Sequence, residues 1–247
     1  MKIMLITGGS RGIGAATALL AAANGYAVAL NYNKNKTAAD KVVKEISGKG
    51  GHAIAIQADI SLEAEVVRLF ETTDQQLGTL DCLVNNAGIL EKQMRVEDIT
   101  ADRLNRIFAA NITGQIICAR EAIRRMSTKH GGKGGTIINV SSIAARLGAP
   151  DEYVDYAASK GAIDTFTIGL SKEVAAEGIR VNAVRPGLIY TDIHADGGEP
   201  GRVDRLKAAL PMKRGGQPEE IAEAIFWLAS DRSSYATGTF IDLGGGR

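Results

Sequence analysis

Seven short apolar runs alternate with helix-length segments along this chain, and that alternation narrows the possible folds more than any other feature. The runs lie at 3–7, 26–31, 52–57, 80–85, 136–140, 179–184 and 238–243. Between them the spacing predicts helices over 12–24, 37–49, 62–77, 100–128, 153–177 and 218–229. Apolar strands separated by such crossovers predict a parallel sheet with both faces covered. Right-handed crossovers then make it a doubly wound α/β sheet of about seven strands, in three αβα layers. No repeat or linker-like stretch divides the 247 residues, so 1–247 is expected to be a single domain. A chain of this length buries roughly 70–75% of its unfolded surface and needs no disulfide or metal to fold.

Charge and cysteine usage exclude several partners. Lys plus Arg comes to 29 and Asp plus Glu to 28, a net charge of +1 without the basic excess of a nucleic-acid binder. No apolar run is long enough to span a bilayer, and Gly8-Gly9 interrupts the N-terminal run too early for a signal peptide. Cys82 and Cys118 sit in apolar stretches and read as buried free thiols, which predicts a reducing, cytoplasmic setting. No metal site is expected.

The first strand runs into Thr7-Gly8-Gly9-Ser10-Arg11-Gly12-Ile13-Gly14 and then directly into a helix. Small residues let the backbone approach a pyrophosphate, and a helix N-terminus offers free N–H groups and partial positive charge. The same residues match the G-x-S-x-G elbow of serine hydrolases, with Ser10 as nucleophile. Gly14 has no role in such an elbow, and His52, His130 and His194, the only candidate bases, have no distinctive setting. An NAD-binding loop usually has an acid at the end of the second strand to grip the ribose hydroxyls. Here that strand ends Leu30-Asn31-Tyr32-Asn33-Lys34, with no acid before Asp40. Asn31 would tolerate a 2′-phosphate, and Arg11 and Lys34 could pair with one, which favours NADP(H) over NAD(H).

Tyr156-Ala157-Ala158-Ser159-Lys160 places a phenol and an ammonium one turn apart on one helix face. A phenol near ~10 is a poor acid at neutral pH, and a fixed cation lowers that value towards the working range. Tyr153, a second phenol, lies two turns from Lys160. Upstream, the strand at 136–140 ends in Ser141-Ser142, where a hydroxyl could hydrogen-bond a substrate carbonyl or simply cap the strand. Asn85-Asn86-Ala87-Gly88 ends another strand at the same rim, and Asn111 interrupts an apolar helical stretch.

Together these motifs resemble the short-chain dehydrogenase/reductase family over essentially the whole chain. The match runs through Thr7-Gly8-x-x-x-Gly12-x-Gly14, Asp59-Ile60, Asn85-Asn86-Ala87-Gly88, Asn111, Ser142, Tyr156-x-x-x-Lys160, Pro186-Gly187 and Thr191. It looks especially like bacterial members of about this length named only as oxidoreductases of glucose-dehydrogenase-like or 3-oxoacyl-carrier-protein-reductase-like type. The resemblance implies a Rossmann-type fold and hydride transfer between NADP(H) and a carbonyl or alcohol. In that family's terms Tyr156 is the general acid, and Lys160 holds the nicotinamide ribose and lowers the Tyr156 pKa. Ser142 orients the carbonyl, and Asn111 holds a water linking Lys160 to solvent. Gly8, Ser10, Arg11, Gly12, Ile13, Gly14 and Asn31 surround the phosphates and adenosine ribose. Asp59 and Ile60 lie beside the adenine, with Asn86, Ala87 and Gly88 bordering the adenosine half. Pro186, Gly187, Ile189 and Thr191 meet the carboxamide.

The spacing from Ser142 to Tyr156 is one residue longer than in many relatives, so the loop between them takes its own shape. Residues 188–216 read as an irregular, glycine-rich lid that chooses the substrate, with His194, Tyr190, Tyr153 and Arg146 as undecided rim residues. The resemblance also implies a homotetramer, or a homodimer. A catalytically silent NADP(H)-binding regulator is the second reading, although such a protein has no need of Ser142, Tyr156 and Lys160.

Overall fold

The computed structural model describes residues Met1–Arg247. Strand β1 (Ile3–Ile6) is buried at every position because apolar layers cover both faces of the sheet. Ile3 and Leu5 point into one layer, Met4 and Ile6 into the other. The chain continues through α1 (Gly12–Ala23), β2 (Ala27–Tyr32), α2 (Lys36–Gly48), β3 (His52–Gln57), α3 (Glu63–Gln76) and β4 (Cys82–Asn85). Next come α4 (Ala101–Phe108), α5 (Gly114–Met126), β5 (Gly135–Val140), α6 (Ala144–Leu147), α7 (Val154–Glu173) and β6 (Ile179–Pro186). The last part adds α8 (Ile193–Asp196), α9 (Arg202–Leu206), α10 (Pro218–Ala229) and β7 (Phe240–Leu243).

All neighbouring strands pair in parallel, in the order β3-β2-β1-β4-β5-β6-β7. Helices α1, α2 and α10 pack on one face through Ala18, Val42 and Ile225; α3, α5 and α7 cover the other through Phe70, Ala122 and Leu170. This is the doubly wound, three-layer architecture expected from the alternation of elements. The strand order reverses between β1 and β4, and the carboxyl ends of those strands border the crevice where ligands of such sheets bind.

Two segments differ from the sequence reading. The helix expected over 100–128 runs without a gap over 101–126 but is widened in its middle: α4 passes through a π turn, Ala109–Thr113, into α5. A Cβ at Gly114 would lie 2.4 Å from the Ile60 carbonyl oxygen, so the helix backbone runs directly against the segment after β3. The widened turn makes that approach while Asn111 turns inward. The segment 188–216 is not simply irregular. It carries α8 and α9, and Leu188, Val203 and Leu210 give it a small apolar core. No helix is long and apolar enough to cross a membrane.

Candidate active site

The glycine loop is tied to the next crevice strand by one buried hydroxyl. Thr7 Oγ1 accepts from the N–H groups of Asn86 and Ala87, each at 3.0 Å. Asn86 Nδ2 donates back to the carbonyls of Thr7 and Gly8 at 2.9 and 3.0 Å. Gly8 turns through φ +63°, and a Cβ on Gly14 would lie 2.3 Å from its carbonyl oxygen. Gly14 therefore packs beneath the loop and does not border the cavity above it, a correction to its expected place among cofactor contacts. Asn31 is also better described as a tether. Its Oδ1 accepts from Gly8 N at 3.2 Å and its Nδ2 donates to Ala58 O at 2.9 Å, so its amide is spent on backbone.

Above the loop lies a cavity of about 930 Å³. Gly8, Ser10, Arg11, Gly12 and Ile13 form one end of it. Helix α1 begins there with no side-chain cap and no acid in its first turn, so its N–H groups remain available to an anion. Along the wall run Asn31, Lys34, Asp59, Ile60, Asn86, Ala87 and Gly88. Burial works to raise the Asp59 carboxyl, but hydrogen bonds from Ser61 and Asn33 outweigh it and hold the group below its ordinary value. Pro186, Gly187, Ile189 and Thr191 line the same space nearer the other end. A cradle of this chemistry fits a dinucleotide: uncapped N–H groups for phosphate and a long wall for two nucleosides.

Ser142, Tyr156 and Lys160 border the same cavity. The two adjacent serines have different partners. Ser141 Oγ is buried and donates to Asp164 at 2.6 Å, whereas the Ser142 hydroxyl accepts from Ala144 N at 3.1 Å and acts on the Tyr156 phenol. Burial pushes that phenol up to about 12, and Ser142 draws it only partly back. Lys160 is 2% exposed and donates to Val140 O at 2.8 Å, with its Nζ 5.5 Å from the Tyr156 ring centroid. Burial presses its amine down to about 8, against the pull of Asp164. The Lys160 ammonium is turned to a backbone carbonyl, while Tyr156, half-buried, borders the cavity.

Asn111 is fully buried and does not border the cavity. Its Oδ1 accepts from Ile89 N at 2.7 Å, and its Nδ2 donates to Ile89 O and Ser159 Oγ at 3.0 and 3.2 Å. Both N–H bonds are committed to protein, so the amide fixes the segment after β4 against α7. A constraint on Tyr156 that sequence reasoning missed is the buried pair Arg103–Asp155, with side chains 4% and 1% exposed. Asp155 Oδ1 also accepts from Tyr156 N at 2.8 Å, and Arg103 Nη1 donates to Lys92 O at 2.7 Å. Of the two helices only α4 is strongly amphipathic, with Arg103 buried on it; the pattern around Asp155 on α7 gave no comparable signal.

The undecided rim residues are now placed. His194 is buried, with Nε2 2.9 Å from Ile189 O, and burial lowers its pKa; it is not a solvated loop histidine. Tyr153 donates to Gly197 O at 3.2 Å and lies under the Arg202 guanidinium. Tyr190 donates to Asp204 at 3.0 Å, outside the cavity, and Arg146 pairs with Asp242. No histidine bonds to Ser10, and His52 and His130 are exposed elsewhere, so the hydrolase elbow has no base.

Comparison with known proteins agrees with this geometry. The family model described as enoyl-(acyl carrier protein) reductase matches residues 8–247. The chain is 62% identical over 247 residues, the full length of both, to the uncharacterized oxidoreductase YgfF of Escherichia coli K12. It is 41% identical over 250 residues to a 3-oxoacyl-[acyl-carrier-protein] reductase of Synechocystis, covering 99% of this chain and 96% of the relative. A short chain dehydrogenase from Burkholderia cenocepacia J2315, solved in complex with NADP, superposes with a TM-score of 0.90 at 33% identity, over 99% of this chain and 97% of that one. With its seven-stranded parallel sheet and near-complete match to these oxidoreductases, the chain belongs to the short-chain dehydrogenase/reductase family, whose members bind a nicotinamide cofactor.

Proposed function

We propose that this chain is an NADP(H)-dependent carbonyl reductase, or an alcohol dehydrogenase in reverse, with Tyr156 as its acid. The observation that carries the reading is that one cavity is lined both by the uncapped start of α1 and by Ser142, Tyr156 and Lys160. When bound, the dinucleotide supplies the hydride. Ser142 and Tyr156 hydrogen-bond the carbonyl oxygen, and the Tyr156 phenol, kept protonated by burial, gives its proton to that oxygen as negative charge develops. Lys160 orients the ribose and offers a buried amine that exchanges protons near neutrality. Arg11 and Lys34, with no acid at the end of β2, take the 2′-phosphate; the NADP complex of the Burkholderia relative supports the same choice. Asp59 and Ile60 border the adenine, and Pro186, Gly187, Ile189 and Thr191 the carboxamide. Beyond the phenol the walls are Leu90, Ile143, Leu147, Tyr153 and Leu188, which suits a carbonyl on an apolar frame. The buried thiols of Cys82 and Cys118 suit the cytoplasm.

The test is initial-rate oxidation of NADPH and NADH across aldehydes, ketones, quinones and 3-oxo esters, with Tyr156→Phe beside the wild type. Turnover favouring NADPH, reduced about 10²–10⁴-fold in Tyr156→Phe while NADPH still binds, is the expected result. Tight NADPH binding with no turnover on any panel member favours the silent regulator instead. Hydrolysis lost in Ser10→Ala and kept in Tyr156→Phe would overturn both.

A further inference from the structure

Arg11 is claimed from two directions. Its Nη1 lies 3.4 Å from Asp192 Oδ2 and its Nη2 lies 3.4 Å from Asp196 Oδ2. The two carboxylates bracket α8: Asp192 is its N-cap and Asp196 its last residue. Arg11, Asp192 and Asp196 all border the main cavity, and so do Asn33, Lys34 and Asn35 at the end of β2. The three paired side chains are 45%, 63% and 55% exposed, so these contacts exchange at little cost. Lys34 forms no ion pair and stays available on the same wall.

We propose that Asp192 and Asp196 tune cofactor choice by competing with the 2′-phosphate of NADP(H) for the Arg11 guanidinium. The inference rests on the reading of Arg11 as the phosphate partner and adds a rival for it within the chain. A 2′-phosphate draws Arg11 away from the carboxylates, and until it does, the two acids repel the incoming dianion. NAD(H) lacks that phosphate and makes no claim on Arg11. The exchange also reaches the lid. Once Arg11 turns to phosphate, α8 loses its tie to the glycine loop, while Arg202 keeps the following segment bound to Glu152 and Glu199.

The experiment is a fluorescence titration of NADPH and of NADH against wild type, Asp192→Asn/Asp196→Asn, Arg11→Ala and the triple variant, at low and high salt. The double variant is expected to bind NADPH about 3–10-fold tighter and NADH within about two-fold of wild type, with the gain shrinking at high salt. Arg11→Ala is expected to weaken NADPH about 10-fold or more, and in its background the Asp→Asn changes gain almost nothing. Equal tightening for NADH, no tightening, or a gain that persists without Arg11 would each overturn the competition. An NADPH-to-NADH ratio unchanged by Arg11→Ala would instead remove the phosphate reading beneath it, so the two failures are told apart.

Discussion

Lys160 is only 2% exposed, and burying its ammonium costs the fold stability over a definite pH range. The unfolded chain keeps this proton up to about 10.5 and the folded chain only to about 8. Folding is therefore penalised below pH 8, and the penalty lifts as the pH rises from 8 towards 10.5. The stability of wild type minus that of Lys160→Met should grow across this window in urea titrations. Tyr156 works in the opposite sense: its folded value of about 12 lies above the unfolded 10, so stability is lost as pH climbs between them. The two adjacent serines separate in the same kind of experiment. Ser141→Ala strips Asp164 of a buried donor and should cost about 1–3 kcal/mol of stability. Ser142→Ala should leave stability nearly unchanged and lower kcat/KM by about 10²–10³. The family resemblance picked out Ser142 in the sequence, and the packing of α7 against the end of β5 gives the two hydroxyls different partners.

Elements differ in how much of themselves they reveal. The strands were legible as short runs dominated by apolar residues, buried at every position in β1, β2 and β4, and the first turn of α1 by its spaced glycines. The widened turn between α4 and α5 was not legible, since nothing in the local pattern reports that Gly114 meets a carbonyl some fifty residues earlier in the chain. Gly114→Ala should consequently destabilise the protein by about 1–3 kcal/mol, read as a fall in Tm. Gly48→Ala, at the end of α2 with open space around its Cβ, should instead raise stability by about 0.5–1 kcal/mol. The site divides along the same line. Tyr156 and Lys160 share a helix face, so their spacing announced them. Arg103 and Asp155 come from different helices and meet only when α4 and α7 dock, as do Arg11 and the carboxylates of α8.

At the scale of the whole molecule, α5 and α7 carry Ile116 and Ile168 at the surface, 36% and 43% exposed. Further copies of the chain covering these helices would explain them, in line with the tetramer implied by the family resemblance. Native mass spectrometry should find four copies in the wild type and smaller species in Ile116→Glu/Ile168→Glu. The overall order of strands has another consequence. Thr7 waits for its two N–H partners until residues 79 and 80 positions later have been made and folded back beside it. A peptide holding only the first strand, the glycine turn and α1 contains every residue of the motif, yet it lacks the clasp that gives the turn its shape. The binding site therefore needs the closing of a long loop and is not made by any local segment. Any ligand that fits it therefore acts on the newly made chain as a lock on that closure, holding together two stretches of polypeptide that left the ribosome far apart in time.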